Sequence, residues 1–429
     1  MKKITVIGGG STYTPELMEG LIKHHKAIGL EEVYLLDLKA SGKFPIVAQL
    51  CERMLLKEGN PFRLKYGFDV EDAVKDADFV VQQYRPGLLD GRITDEKIPL
   101  KYDAIGQETT GVGGFACALR AMPMIEGYIE AVERWAARDA FVINFTNPSG
   151  LLSEFVINTL GFERFAGLCN IPINMIQRAA ERFQCEREDV FLNYYGLNHM
   201  SWIDAVKIKG EDRTADALSD IYKPENIPES ASFEETGQEL DMILNAYLRY
   251  YYTTSRMLTE EKEAVAVGGK GTRGEIVKKI EAELVRKYSN PELAEKPEEL
   301  TQRGGSMYST AAVELIRDLC SGQKKNHIIN LRNNGAVENL PSDYVLEINA
   351  TVSEKSMRPV CIGKANKLTL GLIHTVKNFE RLTIEAHMEK SLKKAKAALL
   401  IHPLGPDADR IDELMKEIVE ANQQYFTLF

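Results

Sequence analysis

The stretch ITVIGGGSTYTPEL, residues 4–17, constrains what this chain can fold into more than any other. Ile4, Val6 and Ile7 form a β-rich apolar run. Gly8, Gly9 and Gly10 then allow positive φ and a close approach of backbone to a ligand. Thr14, Pro15 and Glu16 read as helix N-cap, first helical residue and first-turn acid. A strand, a glycine turn and a helix in this order open a doubly wound α/β sheet and present backbone N–H groups to a phosphate.

The pattern continues down the chain. EEVYLLDLK is a second strand ending near Asp37, DADFVVQQYRP (76–86) a third, DAFVINFTNPSG (139–150) a fourth and ERFAGLCNIP (163–172) a fifth. Helical patterns separate most of them, which predicts a parallel, Rossmann-like sheet. After about residue 190 the character changes. FLNYYGLNHMSWIDAVKIKG reads as paired strands, and helices are predicted over 235–258, 273–288, 306–320, 372–397 and 407–424. At 429 residues the chain is too long for one ordinary core. The expected division is a nucleotide-binding domain over 1–190 and a second α+β domain over 191–429, with a substrate cleft between them.

Composition removes several function classes. The net charge of −10, with no basic tract, argues against nucleic acid as the main partner. No apolar run approaches the roughly 20 residues of a membrane span. The start MKKITVIGGG imitates a secretion signal, but glycines end its apolar run early, so a cytoplasmic protein is expected. Six scattered cysteines in such a chain read as free thiols.

Five places carry candidate chemistry. Gly8, Gly9 and Gly10, with Ser11 and Thr12, would cradle a pyrophosphate, although Tyr13 stands where the dinucleotide fingerprint has its third glycine. Asp37, at the end of the second strand, would accept hydrogen bonds from a ribose diol and repel a 2′-phosphate, favouring NAD over NADP. Asn144 and Asn147 lie at another strand end, where an ordinary Asn-Pro turn accounts for them equally well. Arg85 and Arg92 follow a strand end and suit an anion, or else are solvated surface charges. Cys169 in GLCNIP and His199 in GLNHMSW could each be an ordinary core residue. As a pair they fall short of the three or four protein ligands of a zinc site, but suit a metal completed by substrate and water.

Taken together, GGGSTYTPEL, IPLKYDAIGQETTGVGG, NFTNPSG, GLCNIP, GLNHMSW, RGGSMYSTAAVELI and NNGAVENLP resemble family 4 of the glycoside hydrolases from about residue 3 to 425. The CNIP form of the cysteine motif is most similar to the family's 6-phospho-β-glucosidases rather than its α-specific members. The resemblance implies a dehydrogenase-like fold, similar to lactate and malate dehydrogenases, and a hydrolysis that needs NAD and Mn²⁺ or another divalent metal. NAD would oxidise C3 of the sugar, a base would remove the C2 proton, the aglycone would be eliminated, and water addition and re-reduction would follow. Such enzymes are exceptions to two-carboxylate glycoside hydrolysis.

The resemblance also assigns roles. Cys169 and His199 hold the metal, Asn147 contacts the sugar, and Asn170 contacts the sugar or orders the metal shell. Tyr247 in NAYLRYYYTTS is the base, with Tyr250, Tyr251 and Tyr252 as close rivals. Glu108 in GQETTG raises its basicity. Arg92 and Arg273 hold the substrate phosphate, Arg273 at a helix start whose N–H groups would help. The implied substrate is a phosphorylated disaccharide or aryl 6-phosphoglucoside, and the implied assembly a homodimer or homotetramer. The alternatives are a 6-phospho-α-glucosidase or another specificity of the same family, a plain NAD-dependent 2-hydroxyacid dehydrogenase, and a non-catalytic NAD and sugar-phosphate sensor.

Overall fold

The computed structural model describes residues 2–39, 41–220, 234–303, 307–426 and 428. Among the described residues thirteen strands are formed: β1 (Lys2–Ile7), β2 (Leu30–Leu36), β3 (Arg63–Gly67), β4 (Phe79–Gln82), β5 (Phe141–Asn144), β6 (Phe165–Gly167), β7 (Val190–Leu197), β8 (Met200–Ile208), β9 (Glu211–Asp212), β10 (Ile243–Leu244), β11 (Lys325–Arg332), β12 (Val345–Ser353) and β13 (Ser356–Pro359). Nine of them make one sheet in the order β13-β12-β11-β6-β5-β4-β1-β2-β3. β1 to β6 are parallel, in the doubly wound order 3-2-1-4-5-6, and β11 to β13 extend the sheet antiparallel. β4 (FVVQ) and β5 (FVIN) are buried throughout because helices cover both faces.

Several sequence expectations change here. β3 was not foreseen: RLKYG is an edge strand with largely exposed side chains, so it carries no apolar signal. The first helix spans Thr14–Ile28 with Tyr13 at the N-cap, so Thr14 is inside it and donates to Gly9 O at 2.8 Å instead of capping. The helix expected over 235–258 is broken. It ends at Leu240, Asp241 takes φ +52°, and β10 pairs with β8 before short helical turns lead to Thr254–Val265. The segment 372–397 is two helices, Lys367–Met388 and Leu392–Ile401, separated where Lys390 takes φ +51° and Ser391 caps the second. Helices Arg273–Tyr288, Tyr308–Leu319 and Ile411–Asn422 form where expected, although residues 304–306, before the second, lie outside the described residues.

The β7–β8 hairpin is the paired-strand unit expected after residue 190, and it lies against β12. Three strands from beyond residue 190 thus complete the sheet begun before it. Among the described residues, no helix is long and apolar enough to cross a membrane.

Candidate active site

The carboxyl ends of β1, β4, β5 and β6 converge on one edge, the place where open α/β sheets bind ligands. At β1 the three glycines are required by geometry. Gly8 has φ +88°, and a Cβ there would lie 2.7 Å from Tyr84 N. A Cβ on Gly9 would lie 2.8 Å from Leu35 Cβ, and one on Gly10 would run into the Asp37 carboxylate. Asp37 accepts from Gly10 N at 2.5 Å and from Leu38 N at 2.7 Å, while burial raises its pKa. Ser11 Oγ accepts from Tyr13 N at 3.3 Å, and buried Thr12 reaches Glu281 Oε2 at 3.4 Å. Tyr13, in place of the third glycine, lies 4.4 Å from the Arg303 guanidinium. Gly8, Gly9, Gly10, Ser11 and Thr12 therefore form one turn packed closely on Tyr84 and Leu35, with the Asp37 carboxylate from the end of β2 against it, an arrangement that fits a dinucleotide. Gln83, which sequence reading passed over, braces the turn by donating to Thr14 Oγ1 at 2.8 Å.

At β5 the two asparagines separate. Asn144 closes its own turn, donating to Thr146 O at 2.9 Å and accepting from Thr146 N at 3.2 Å, so the turn reading holds for it. Asn147 Oδ1 is buried and has no partner among the described residues.

At β6, Cys169 is the N-cap of the helix Asn170–Phe183, its Sγ accepting from Ile171 N at 3.5 Å. His199 sits in the two-residue turn between β7 and β8 at φ +64°. Its Nε2 lies 3.4 Å from Cys169 Sγ, and its Nδ1 is buried without a partner among the described residues. Burial lowers the His199 pKa to about 3, so the imidazole is neutral and able to ligate. Burial and the Glu347 charge push the Cys169 thiol up, whereas Ile171 N–H, Asn198 and Asn170 N–H pull it down. A bound cation would reverse that balance. Two such donors 3.4 Å apart can share one ion at bonds of about 2.0–2.3 Å, so they fit a divalent metal. No group of three or more His, Cys, Asp or Glu ligands occurs among the described residues. Asn170 Oδ1 is 3.9 Å from Cys169 Sγ.

The tyrosines separate by position. The Tyr247 ring stacks on His199, with centroids 4.2 Å apart and planes at 16°. The Tyr250 ring is 5.9 Å from that of Tyr247, Tyr251 bonds Thr110 and faces His402, and Tyr252 is 37% exposed. Burial raises the Tyr247 pKa, with Tyr250 and Cys169 adding to the effect, while Arg92 and Arg249 oppose it.

Glu108 is buried and paired with Arg85 and with Arg92, the latter at 3.0 Å. Arg92 is thus the cation common to Glu108 and Tyr247, and it also holds Glu96 at 2.7 Å. Arg273 is exposed at the start of its helix and donates to Arg303 O at 3.1 Å. The helix N–H groups expected to assist it are taken. Gly274 N donates to Glu96 Oε2 at 2.7 Å, and Glu275 N to the Thr272 cap at 3.2 Å. Arg85 feels both Arg92 and Arg303, and burial with these like charges lowers its pKa to about 10. Arg303 and Glu96 were missed in the sequence, although Arg303 opens the RGGSMYSTAAVELI stretch.

Comparison with known proteins agrees along the whole length. Residues 3–184 match the model of the family 4 glycosyl hydrolases, and residues 194–405 match the model of that family's C-terminal domain. The 6-phospho-beta-glucosidase BglT of Thermotoga maritima is 48% identical, covering 99% of this chain and 100% of its own. A solved structure of the Thermotoga maritima 6-phospho-beta glucosidase with manganese, NAD+ and glucose-6-phosphate superposes with a TM-score of 0.92 at 45% identity, covering 100% of both chains. Malate dehydrogenase from Plasmodium falciparum shares the fold, with a TM-score of 0.51 at 15% identity over 93% of this chain and 99% of its own.

Proposed function

The chain belongs to family 4 of the glycosyl hydrolases, and on that premise we propose that it hydrolyses 6-phospho-β-glucosides by an oxidation, elimination, hydration and re-reduction sequence. When bound, NAD supplies a reversible hydride acceptor for C3 of the sugar, and a divalent ion such as Mn²⁺ supplies Lewis acidity at the sugar oxygens. The observation that carries this reading is the Tyr247 ring stacked on His199, whose Nε2 lies 3.4 Å from Cys169 Sγ. It puts a base candidate and two metal donors at one point.

Cys169 Sγ and His199 Nε2 hold the ion. Tyr247 accepts the C2 proton on its phenolate oxygen. Its free pKa near 10, raised further by burial, has to be brought down, and Arg92 and Arg249 act in that direction. Glu108 tunes this through its pair with Arg92. Asn147, with its unpartnered Oδ1, and Asn170 orient the sugar hydroxyls. Arg92 and Arg273, in a basic cluster with Arg85 and Arg303, receive the 6-phosphate as charges rather than through the helix N–H groups. Gly8, Gly9, Gly10, Ser11 and Thr12 wrap the pyrophosphate, and Asp37 accepts from the ribose.

The same reading puts the enzyme in the cytoplasm, acting on a phosphorylated disaccharide or aryl 6-phosphoglucoside as a homodimer or homotetramer. Six free cysteines and the exposed Leu368, Met388, Leu400 and Ile401 on the C-terminal helices support it.

The test is release of nitrophenol from the α- and β-anomers of nitrophenyl 6-phosphoglucoside, with and without NAD⁺ and Mn²⁺, in deuterated water. The β-anomer should be cleaved only with both additions, and the product should carry deuterium at C2. Cleavage without NAD⁺, or product lacking deuterium, would refute the scheme. Preference for the α-anomer would move the specificity within the family.

A further inference from the structure

Glu347, on β12, is fully buried in the C-terminal half of the chain, and no step above uses it. Its Oε1 accepts from Asn198 Nδ2 at 2.8 Å and from Asn330 Nδ2 at 3.5 Å, and its Oε2 from Tyr194 OH at 2.6 Å. Each contact leads to a different site segment. Asn198 is the first residue of the turn that carries His199. Asn330 also donates to Gly167 O at 3.0 Å, at the end of the strand that leads to Cys169. Tyr194 OH accepts from Ser201 Oγ at 2.5 Å, and Ser201 Oγ accepts from Asn245 Nδ2 at 2.9 Å. Asn245 Oδ1 in turn accepts from Tyr247 N at 2.9 Å, capping the short helical turn that holds Tyr247.

We infer that Glu347 is the positioning residue of the site, a single buried carboxylate that sets the His199 turn, the Cys169 strand end and the Tyr247 turn relative to one another. The inference rests on the assignment of Cys169, His199 and Tyr247 made above. Its physical basis is connection. The segments bearing these three groups are remote in sequence, and each is tied to one acceptor through side chains that are buried or nearly so. A buried carboxylate with three neutral donors fixes their directions more rigidly than separate solvated contacts would. Burial raises its pKa to about 7, so the negative charge it adds beside a site built to take a cation is carried by the ionised form. Residues that orient metal ligands in this way typically alter metal affinity or activity by about 10–100-fold when replaced.

Two variants separate its arms. Glu347→Gln keeps the shape and can still accept from Asn198, but it loses the charge. Ser201→Ala removes the shorter of the two links between Tyr194 and the Asn245 cap of the Tyr247 turn, leaving only the direct 3.4 Å contact of Asn245 Nδ2 with Tyr194 OH, and keeps the Asn198 and Asn330 contacts in place. Mn²⁺ affinity is read by paramagnetic resonance, NAD affinity by fluorescence titration, folding by thermal melting, and turnover separately from KM. Glu347→Gln should weaken Mn²⁺ binding and lower kcat, each by about 10-fold or more, with NAD affinity unchanged. Ser201→Ala should lower kcat with little change in KM, Mn²⁺ affinity or melting. Unchanged Mn²⁺ affinity and kcat in Glu347→Gln would overturn the inference while leaving the function intact. Equal losses in NAD affinity and melting temperature would also overturn it, reducing Glu347 to a packing residue. Should Glu347→Gln fail to fold, normal kcat in Ser201→Ala would overturn the Tyr247 arm. Wild-type Mn²⁺ binding that survives Cys169→Ser would instead sink the site assignment itself.

Discussion

Cys169 shows how far a single residue's identity carries. Buried and close to Glu347, its thiol is pushed up, so the thiolate needs a cation to hold it. Cys169→Ser and His199→Ala should therefore each abolish Mn²⁺ binding and turnover while NAD still binds, and turnover that survives in either variant would remove that residue from the metal site. Tyr247→Phe keeps the stacking on His199 and removes only the acceptor oxygen. A general base of this kind contributes about 10²–10⁴-fold, so turnover should fall by that much while NADH absorbance still appears on mixing with substrate. Full activity would pass the role to another group. Asp37→Ala should weaken NAD and narrow its advantage over NADP, as followed by titration of both cofactors. Cysteine, histidine and asparagine at strand ends were legible in the sequence because strand ends are where such side chains meet ligands. Tyr247 was singled out from its neighbours only through the family resemblance, since four tyrosines in a short run differ only in what the fold puts beside them.

At the scale of elements, the glycine turn was readable because its constraint is local. Gly8→Ala would combine a φ of +88° with a Cβ 2.7 Å from Tyr84 N. A loss of about 1–3 kcal/mol of stability, read by urea unfolding, is expected together with weaker NAD binding. An alanine variant as stable as wild type would show that the turn can shift away from Tyr84. The segment 235–258 shows the opposite case. Its residues suit a helix, but Ile243 and Leu244 find a partner in β8, and that pairing is made by residues far away in the chain. The same break turns Tyr247 towards His199. Helix 273–288 formed over the residues read from sequence, yet its N-terminal donors went to Glu96 and Thr272, which no local pattern records.

At the scale of the whole molecule, the C-terminal half is locked to the first sheet by Glu154 and Lys377. The fully buried Lys377 donates to Glu154 at 3.0 Å and to Val345 O at 2.7 Å, and Glu154 also accepts from Val345 N at 2.9 Å. Lys377→Met removes the ammonium that pairs with both Glu154 and the buried Glu380, leaving Glu380 without that partner and Glu154 with Arg381 at 2.9 Å, which should cost about 3–5 kcal/mol at neutral pH, read by denaturant unfolding. Burial alone would raise the Glu154 pKa, but Lys377, the Val345 N–H, Asn158 and Arg381 bring it down to about 2. An unfolded glutamate titrates near 4.3. The unfolded chain therefore binds the extra proton first as the pH falls. Glu154's contribution is complete above about 4.3, declines below it, and is gone once the pH passes about 2. Glu154→Gln should flatten the acid side of the stability curve across that window. A curve unchanged between the two proteins would show that Glu154 is not a source of acid sensitivity.

The sequence by itself determined the parallel sheet, the glycine turn and the family, because each is written in short-range pattern. Apolar runs bounded by turn residues, and glycines where no Cβ fits, need no distant partner to be recognised. Only the tertiary structure decided that β11 to β13 complete the sheet, that Tyr247 alone of its group lies on His199, and that Glu96 fills a helix N-terminus offered to phosphate. It also decided that Glu347 joins three site segments. These outcomes depend on contacts between residues remote in sequence, where packing and buried hydrogen bonds, rather than local propensity, choose the partner.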